Sequence, residues 1–429
     1  MSTPMPQGQG WVLVRPALAG ICATDLDMLH SFGVPSILSA YERTSAVIPG
    51  HEVVGVVERA AATRWAKEGH RVLVEPTLRC VHKGLAECRR CRAGDTHLCE
   101  NRDRAGALCS GTAIGSSERA GGGWSEGFLV HEDMLIPADG ISDQRGVLAE
   151  PAAGALHAVL RWTRRGDHAI VIGSGAQSRL IVATLRRLYP DLEVEVIYDA
   201  RSPSRPRQGR HARQPSHLNA DTASDFNAIR AMGASRVRRG SPEQLLVEIA
   251  ESLGARALRP EGGGLPVLDG GVDAVFDCQA TAGSIDLGLR LLRGGGTLVL
   301  GGRSGRHEVE WPLVWARELS VLGSALYGRE ATGHRTFAIV REWLSDPAFP
   351  IDSVVTHRFP LEEYKAALET ASAGVAAGAV KVVFQGSAGA LRTDLDAGAA
   401  QEDMNGDAPL LLHASAAHSR SIREARMPR

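Results

Sequence analysis

Residues 168–190 read HAIVIGSGAQSRLIVATLRRLYP. A short apolar run meets a glycine turn at Gly173 and Gly175, and apolar residues at helical spacing follow until Pro190. EVEVIYDA, residues 193–200, is a second apolar run. Strand, glycine turn, helix and strand make the unit from which parallel sheets with crossover helices are built. The same grain continues in DAVFDC (273–278), IDLGLRLLRGGG (285–296), TLVLGG (297–302) and LSVLGSALY (319–327). Residues 361–385 read as one helix followed by one strand. Gly173 permits the tight turn between strand and helix.

Upstream the grain differs. WVLVRPALAG (11–20), EVVGVVERA (52–60), HRVLVEP (70–76) and EGFLVHEDMLIPADG (126–140) are short apolar runs broken by Gly and Pro. They predict an irregular, mostly-β unit. The chain has 429 residues, too many for one ordinary core, so two units with appendages are expected. Hydrophobic residues make up 44% and charged residues 23%, as in a water-soluble globular protein. A net charge of −1 gives no reason to expect nucleic acid or an anionic membrane as partner. No stretch approaches the roughly 18 apolar residues that span a bilayer. MSTPMPQGQG at the start lacks the pattern of a secretory signal, so the expected location is the cytoplasm.

In a reducing compartment clustered cysteines bind metal or do chemistry more often than they form disulfides. CRRCRAGDTHLC, residues 88–99, holds three of the seven cysteines, and Cys80 lies upstream. Cys88, Cys91 and Cys99 with Cys80 give four soft ligands for a structural zinc with no open position. Cys109 is the alternative to Cys80. A Cys-x-x-Cys redox pair normally opens a helix after a strand; here Arg89 and Arg90 separate the thiols and loop residues surround them. Simple burial of the thiols is the remaining alternative.

A second, mixed set is spread along the chain. GICATDLD holds Cys22 beside Thr24 and Asp25, PGHEVVG holds His51 and Glu52, and LAEPAAGALHAV holds Glu150 before a helix. One Cys, one His and carboxylates suit a catalytic zinc, which keeps a position open for water or substrate. Read singly, each has a plainer role: a core cysteine, a turn histidine, or an acid favoured by a helix N-terminus.

Taken together, GICATDL, PGHEVVGVV, HRVLVEP, the cysteine cluster, GGGWSEGFLVHE, LAEPAAGALHAV, VIGSGAQ, VDAVFDC, LLRGGGTLVLGG and GAVKVVF resemble the zinc-dependent medium-chain dehydrogenases/reductases. The resemblance is to the alcohol, sorbitol and threonine dehydrogenase group and runs from about residue 8 to 385. It implies an α/β fold, with an irregular mostly-β GroES-like catalytic domain at 1–155 and 325–385 and a Rossmann doubly wound parallel-sheet domain at 156–324. Residues 201–224 are polar and basic and read as a flexible insertion, and 386–429 as a disordered tail. By resemblance Cys22, His51 and Glu150 hold the catalytic zinc, and Glu52 ligates it or swings in to do so. Thr24 takes the substrate's proton and Asp25 orients His51. Asp27 stands where the family often has a relaying histidine. Two zinc ions per chain are implied, the second held by Cys80, Cys88, Cys91 and Cys99.

The resemblance also assigns Gly173, Gly175, Ala176 and Gln177 to the cofactor turn, with Ser178 in place of its third glycine and Arg179 where apolar packing is usual. Asp199 ends the second strand, where an acid binds the ribose hydroxyls and favours NAD. Arg201, Arg205 and Arg207 follow and keep NADP as the alternative. Cys278 is expected near the nicotinamide. The implied reaction is hydride transfer between a secondary alcohol or polyol and NAD(P), with the active site between the units. Residues 30–49 and Trp124 are expected to shape the pocket. A homodimer or homotetramer is expected, pairing an edge strand such as LSVLGSALY. The family's usual N-terminal hairpin is absent before GQGWVLVRP. That absence, Ser178, Arg179 and the insertion feed a second reading, a non-catalytic binding or regulatory protein of the same fold. A zinc-ribbon nucleic-acid binder leaves most of the chain unexplained.

Overall fold

A computed structural model describes residues 5–6, 8–30, 47–102, 104, 112–117, 120–163, 166–198, 248, 250–258, 271–302 and 308–386. The insertion at 201–224, Asp199, the three arginines after it, Cys109 and the tail beyond residue 386 lie outside them, as do residues 31–46 of the expected pocket segment.

Two sheets organise the described residues. The first contains β1 (Trp11–Gly20), β2 (Val53–Ala60), β3 (Arg71–Val74), β4 (Phe128–His131) and β5 (Leu135–Pro137). They are joined by β12 (Val355–Pro360) and β13 (Lys381–Gln385) from the far end of the chain. Its order is β12-β13-β1-β2-β3-β5, with β4 also paired to β1. The long β1 carries Pro16, which has no N–H for a ladder; the β1–β2 register shifts between Pro16 and Leu18, where the missing donor is tolerated. Gly20 pairs with Val383, so the loop holding Cys22 starts beside the strand that begins at Lys381.

The second sheet is six-stranded, in the order β11-β10-β9-β6-β7-β8. Its strands are β6 (His168–Ile172), β7 (Glu193–Ile197), β8 (Arg256–Leu258), β9 (Val272–Asp277), β10 (Leu292–Leu300) and β11 (Ser320–Gly323). Every pairing in it is parallel. The order reverses at β6, and there the open crevice forms at the carboxyl ends of the strands. LSVLGSALY supplies β11, an edge of this sheet. Residues 361–385 fold as a helix, Tyr364–Ala373, a short 3-10 turn and β13. Among the described residues no helix is long and apolar enough to cross a membrane.

The helix Ala149–Arg161 ties the two sheets together. Nearly all its residues are buried, from Ala149 through Leu160. One continuous core joins it to Val54 and Leu73 of the first sheet and to Val171, Ala274 and Val299 of the second. Residues this apolar on every face bury only when both sides of a helix are covered. Its N-terminus, with Glu150, therefore sits between the two sheets.

Candidate active site

The loop after β1 turns into the helix Ala23–His30. Asp25 closes that turn: its Oδ2 accepts the Cys22 N–H at 2.9 Å. The other oxygen of Asp25 lies 3.2 Å from His51 Nδ1. This contact has the Nδ1–H donate to the Asp25 carboxylate and leaves Nε2 to face a ligand. Donor atoms of Cys22, His51 and Glu52 all lie within 4.8 Å of one another. Burial works against a charged His51, yet the charge and hydrogen bond of Asp25, with Cys22, hold it well above its ordinary value. One thiol, one imidazole and one carboxylate converging on one point is the donor set of an open zinc site. Thr24 is half-buried in the first turn of the same helix.

Glu150 is not part of that mutual cluster. It lies in the first turn of Ala149–Arg161, where its Oε1 accepts the Tyr327 hydroxyl at 3.1 Å. Burial pushes its carboxyl up to about 7, and the neighbouring Glu52 adds to the push. Tyr327, 1% exposed, is raised well above its ordinary value by burial and by Glu150 and Glu75, so it remains a donor. Glu52 has its own partner. Lys381 Nζ lies 2.7 Å from both of its oxygens and donates to Ile21 O at 3.2 Å. Tyr327 and Lys381 were not singled out by sequence reading. Lys381 did have a signal: it is the one charge inside the apolar run AVKVVF.

The four cysteines of the loop meet. Sγ atoms of Cys80, Cys88, Cys91 and Cys99 lie within 4.8 Å of one another, and none of these cysteines is in a disulfide. Cys80 and Cys99 are 3.5 Å apart at sulfur. Backbone N–H groups point at the sulfurs: Cys91 and Glu100 donate to Cys88 Sγ at 3.4 Å, and Cys88 to Cys80 Sγ at 3.4 Å. Such donors favour thiolates, and four thiolates at this spacing match a tetrahedral zinc with sulfur about 2.3 Å from the ion. Contrary to expectation, Cys88 does open a helix, the single turn Arg89–Arg92. The helix follows a loop, and Cys80 and Cys99 complete a set that a redox pair does not need.

The glycine turn follows β6. Gly173 has φ +136°, which L side chains rarely adopt, and a Cβ there would stand 3.1 Å from that of Cys278. Cys278 thus lies against the turn, at the carboxyl end of β9. Gly175 caps the helix Ala176–Leu188. Ser178, at the third glycine position, is fully buried and donates to Gly175 O at 2.8 Å, so the larger residue is absorbed by a local hydrogen bond. Arg179 is 2% exposed, and its three guanidinium nitrogens have no hydrogen-bond partner among the described residues. Gln177 packs against Gly154, 3.4 Å from a Cβ built there, which brings the turn to the helix that carries Glu150. Trp124 donates to Gly20 O at 3.1 Å and packs edge-on against Phe384, beside the Cys22 loop.

Residues 8–140 match the alcohol dehydrogenase GroES-like domain. The chain is 27% identical over 379 residues to the erythritol/L-threitol dehydrogenase of Mycolicibacterium smegmatis, covering 85% of this chain and 88% of that protein. It is 27% identical over 360 residues to the L-galactonate-5-dehydrogenase of Escherichia coli, covering 83% and 86%. Among solved structures, a zinc-binding dehydrogenase of Sinorhizobium meliloti bound to NADP superposes with a TM-score of 0.63 at 26% identity, covering 90% of this chain and 94% of that one.

Proposed function

We propose that this chain, which belongs to the zinc-dependent medium-chain dehydrogenase/reductase family, transfers hydride between a secondary alcohol or polyol and NAD(P). The observation that carries this reading is the convergence of Cys22, His51 and Glu52 with Asp25 behind the imidazole. The division of labour is a catalytic unit of residues 1–155 and 325–385 and a dinucleotide unit of residues 156–324. Cys22, His51 and a carboxylate would hold a zinc ion, which when bound would supply Lewis acidity towards an alcohol oxygen, and a dinucleotide bound at the glycine turn would supply the hydride chemistry.

The chain's own residues do the rest. Asp25 keeps the His51 tautomer that leaves Nε2 open. Thr24, two residues past Cys22, takes the substrate hydroxyl's proton. Lys381 holds Glu52 and Tyr327 holds Glu150, so two carboxylates compete for the third ligand position. Gly173, Gly175, Ala176 and Gln177 offer backbone and helix N-terminus to the pyrophosphate. Asp25 is buried, whereas Asp27, two residues further on, is half-buried, and the proton taken by Thr24 leaves by way of solvent. Cys80, Cys88, Cys91 and Cys99 would hold a second, structural zinc, for which their converging sulfurs are suited. The names of the relatives favour a polyol or a sugar-acid hydroxyl as substrate, and β11 is the edge through which a homodimer or homotetramer pairs.

The test is zinc per chain measured together with NADH and NADPH binding, followed by a screen of polyols and sugar acids. Two ions, dinucleotide binding and turnover of one such alcohol support the reading. One ion and no dinucleotide binding overturn it in favour of a non-catalytic protein of the same fold.

A further inference from the structure

The four-cysteine loop does not hang free. His97, in its last turn, reaches the segment that follows β11, and there it meets Gly328. A Cβ built on Gly328 would collide with His97 Nδ1, so the imidazole lies directly on that backbone. His97 Nδ1 is buried without a hydrogen-bond partner among the described residues. The ring also meets His157, edge-on with ring centroids 5.1 Å apart. Beside these contacts lies a polar cavity of about 400 Å³, lined in part by Cys91, Gly94, Thr96, Gly328, Arg329 and Arg335. A Cβ built on Gly94 would stand 3.0 Å from Arg329, so loop and turn touch at His97 and again at Gly94.

His97 touches two elements that share a second junction. His157 is on the helix Ala149–Arg161, seven residues and two turns after Glu150, on the same face. Gly328 follows Tyr327 directly. The turn 328–336 is closed on itself: Thr336 N donates to Gly328 O at 2.9 Å, and its hydroxyl donates to Glu330 Oε1 at 2.5 Å. Glu330 Oε1 in turn lies 2.9 Å from His157 Nδ1. Helix and turn are thus pinned at His157–Glu330 and meet again at Glu150–Tyr327. A plate wedged against both elements fixes the spacing between them.

From this geometry we propose that His97 is a positioning residue for Glu150: seated by the four-cysteine loop, it sets the Tyr327–Glu150 contact and so the metal affinity of the Cys22–His51 site. The inference rests on the zinc reading above. It makes filling of the four-cysteine cluster, which orders the loop, a condition for tight metal binding at the second site. Outer contacts of this kind typically change metal affinity about 10- to 100-fold.

The experiment uses the full chain with cobalt(II) in place of zinc, because a four-thiolate site and a one-thiolate site absorb differently. The readout is cobalt affinity and spectrum at the one-thiolate site in wild type, His97→Ala, His97→Phe, Tyr327→Phe and the double variant His97→Ala/Tyr327→Phe. We expect His97→Ala to keep the four-thiolate spectrum while weakening the other site about tenfold. Tyr327→Phe should do the same, and the double variant no more than Tyr327→Phe alone. His97→Phe, which keeps a ring of similar breadth, should restore binding. Wild-type affinity in His97→Ala, or losses that simply add in the double variant, overturns the inference. A wild-type chain that binds only the four-thiolate metal overturns the zinc reading itself, and the two failures are distinct.

Discussion

Both oxygens of Glu52 stand 2.7 Å from the Lys381 ammonium, and both residues are buried. The pair joins β13, from the end of the described chain, to the loop before β2. Burial opposes a charged Lys381, but Glu52 outweighs it and raises the ammonium's pKa. Removing one member of a buried pair leaves the other charge uncompensated, at a cost of about 3–5 kcal/mol. Lys381→Met is expected to lose about that much in urea unfolding, and the double variant Lys381→Met/Glu52→Gln to regain most of it. A single variant as stable as wild type would mean that Glu52 is neutralised by something other than Lys381.

The four-cysteine site makes its own prediction. Burial pushes the Cys88 thiol up, but N–H groups of Cys91 and Glu100 outweigh it and bring the group down to about 6. A thiol lowered in this way is ready to bind metal at neutral pH. Cys88→Ser is expected to empty the four-cysteine site and, through the loss of the His97 seat, to weaken binding of the second ion about tenfold, read by metal analysis across a range of free zinc. Unchanged affinity for the second ion would show that the two sites fill independently.

How much of this could be read in the sequence depends on range. The β6–turn–helix unit was legible because apolar period, Gly173 and Gly175 are local signals. So was the cysteine cluster, where spacing alone brings ligands together. Tyr327 and Lys381 were not legible. Each reaches its carboxylate across 177 and 329 residues of chain, and only the pairing of β13 with β1 or the docking of the turn on the helix brings them there. Glu150 lay between these cases. Its helix was readable, but the Tyr327 hydroxyl that it accepts from across 177 residues was not. Ser178 looked like a defect in the glycine pattern until its hydroxyl was seen bonded to Gly175 O.

Glu330 gives stability a pH dependence. Burial pushes its carboxyl up, but the hydrogen bond and charge of His157, with the Thr336 hydroxyl, outweigh it and hold it below the ordinary range. A lowered folded pKa means a stabilisation fully present above the unfolded value, about 4.3, and lost as pH falls through the folded one. Glu330→Gln removes the charge at every pH. The variant should therefore be less stable than wild type near neutrality, and the gap should shrink as pH falls below about 4. Urea midpoints at a series of pH values measure this. A gap that stays constant across the series would show that Glu330 does not carry the ionic part of its contact with His157.

Arg179 is expected to cost stability. Its guanidinium is buried in the first turn of Ala176–Leu188, and its three nitrogens have no partner among the described residues. Burial lowers its pKa to about 10, with Tyr198 opposing, so it remains charged at neutral pH. The helix N-terminus adds positive potential at the same place. Desolvating a buried charge costs several kcal/mol per ion, and an apolar side chain of similar length avoids that cost. Arg179→Met should accordingly raise the urea midpoint of the protein without dinucleotide. A lower midpoint would show that an anionic group partners the guanidinium in solution. Comparing NADH and NADPH affinity in the same variant would then separate a partner within the chain from the cofactor's phosphates. An internal partner leaves both affinities unchanged; a phosphate partner weakens binding.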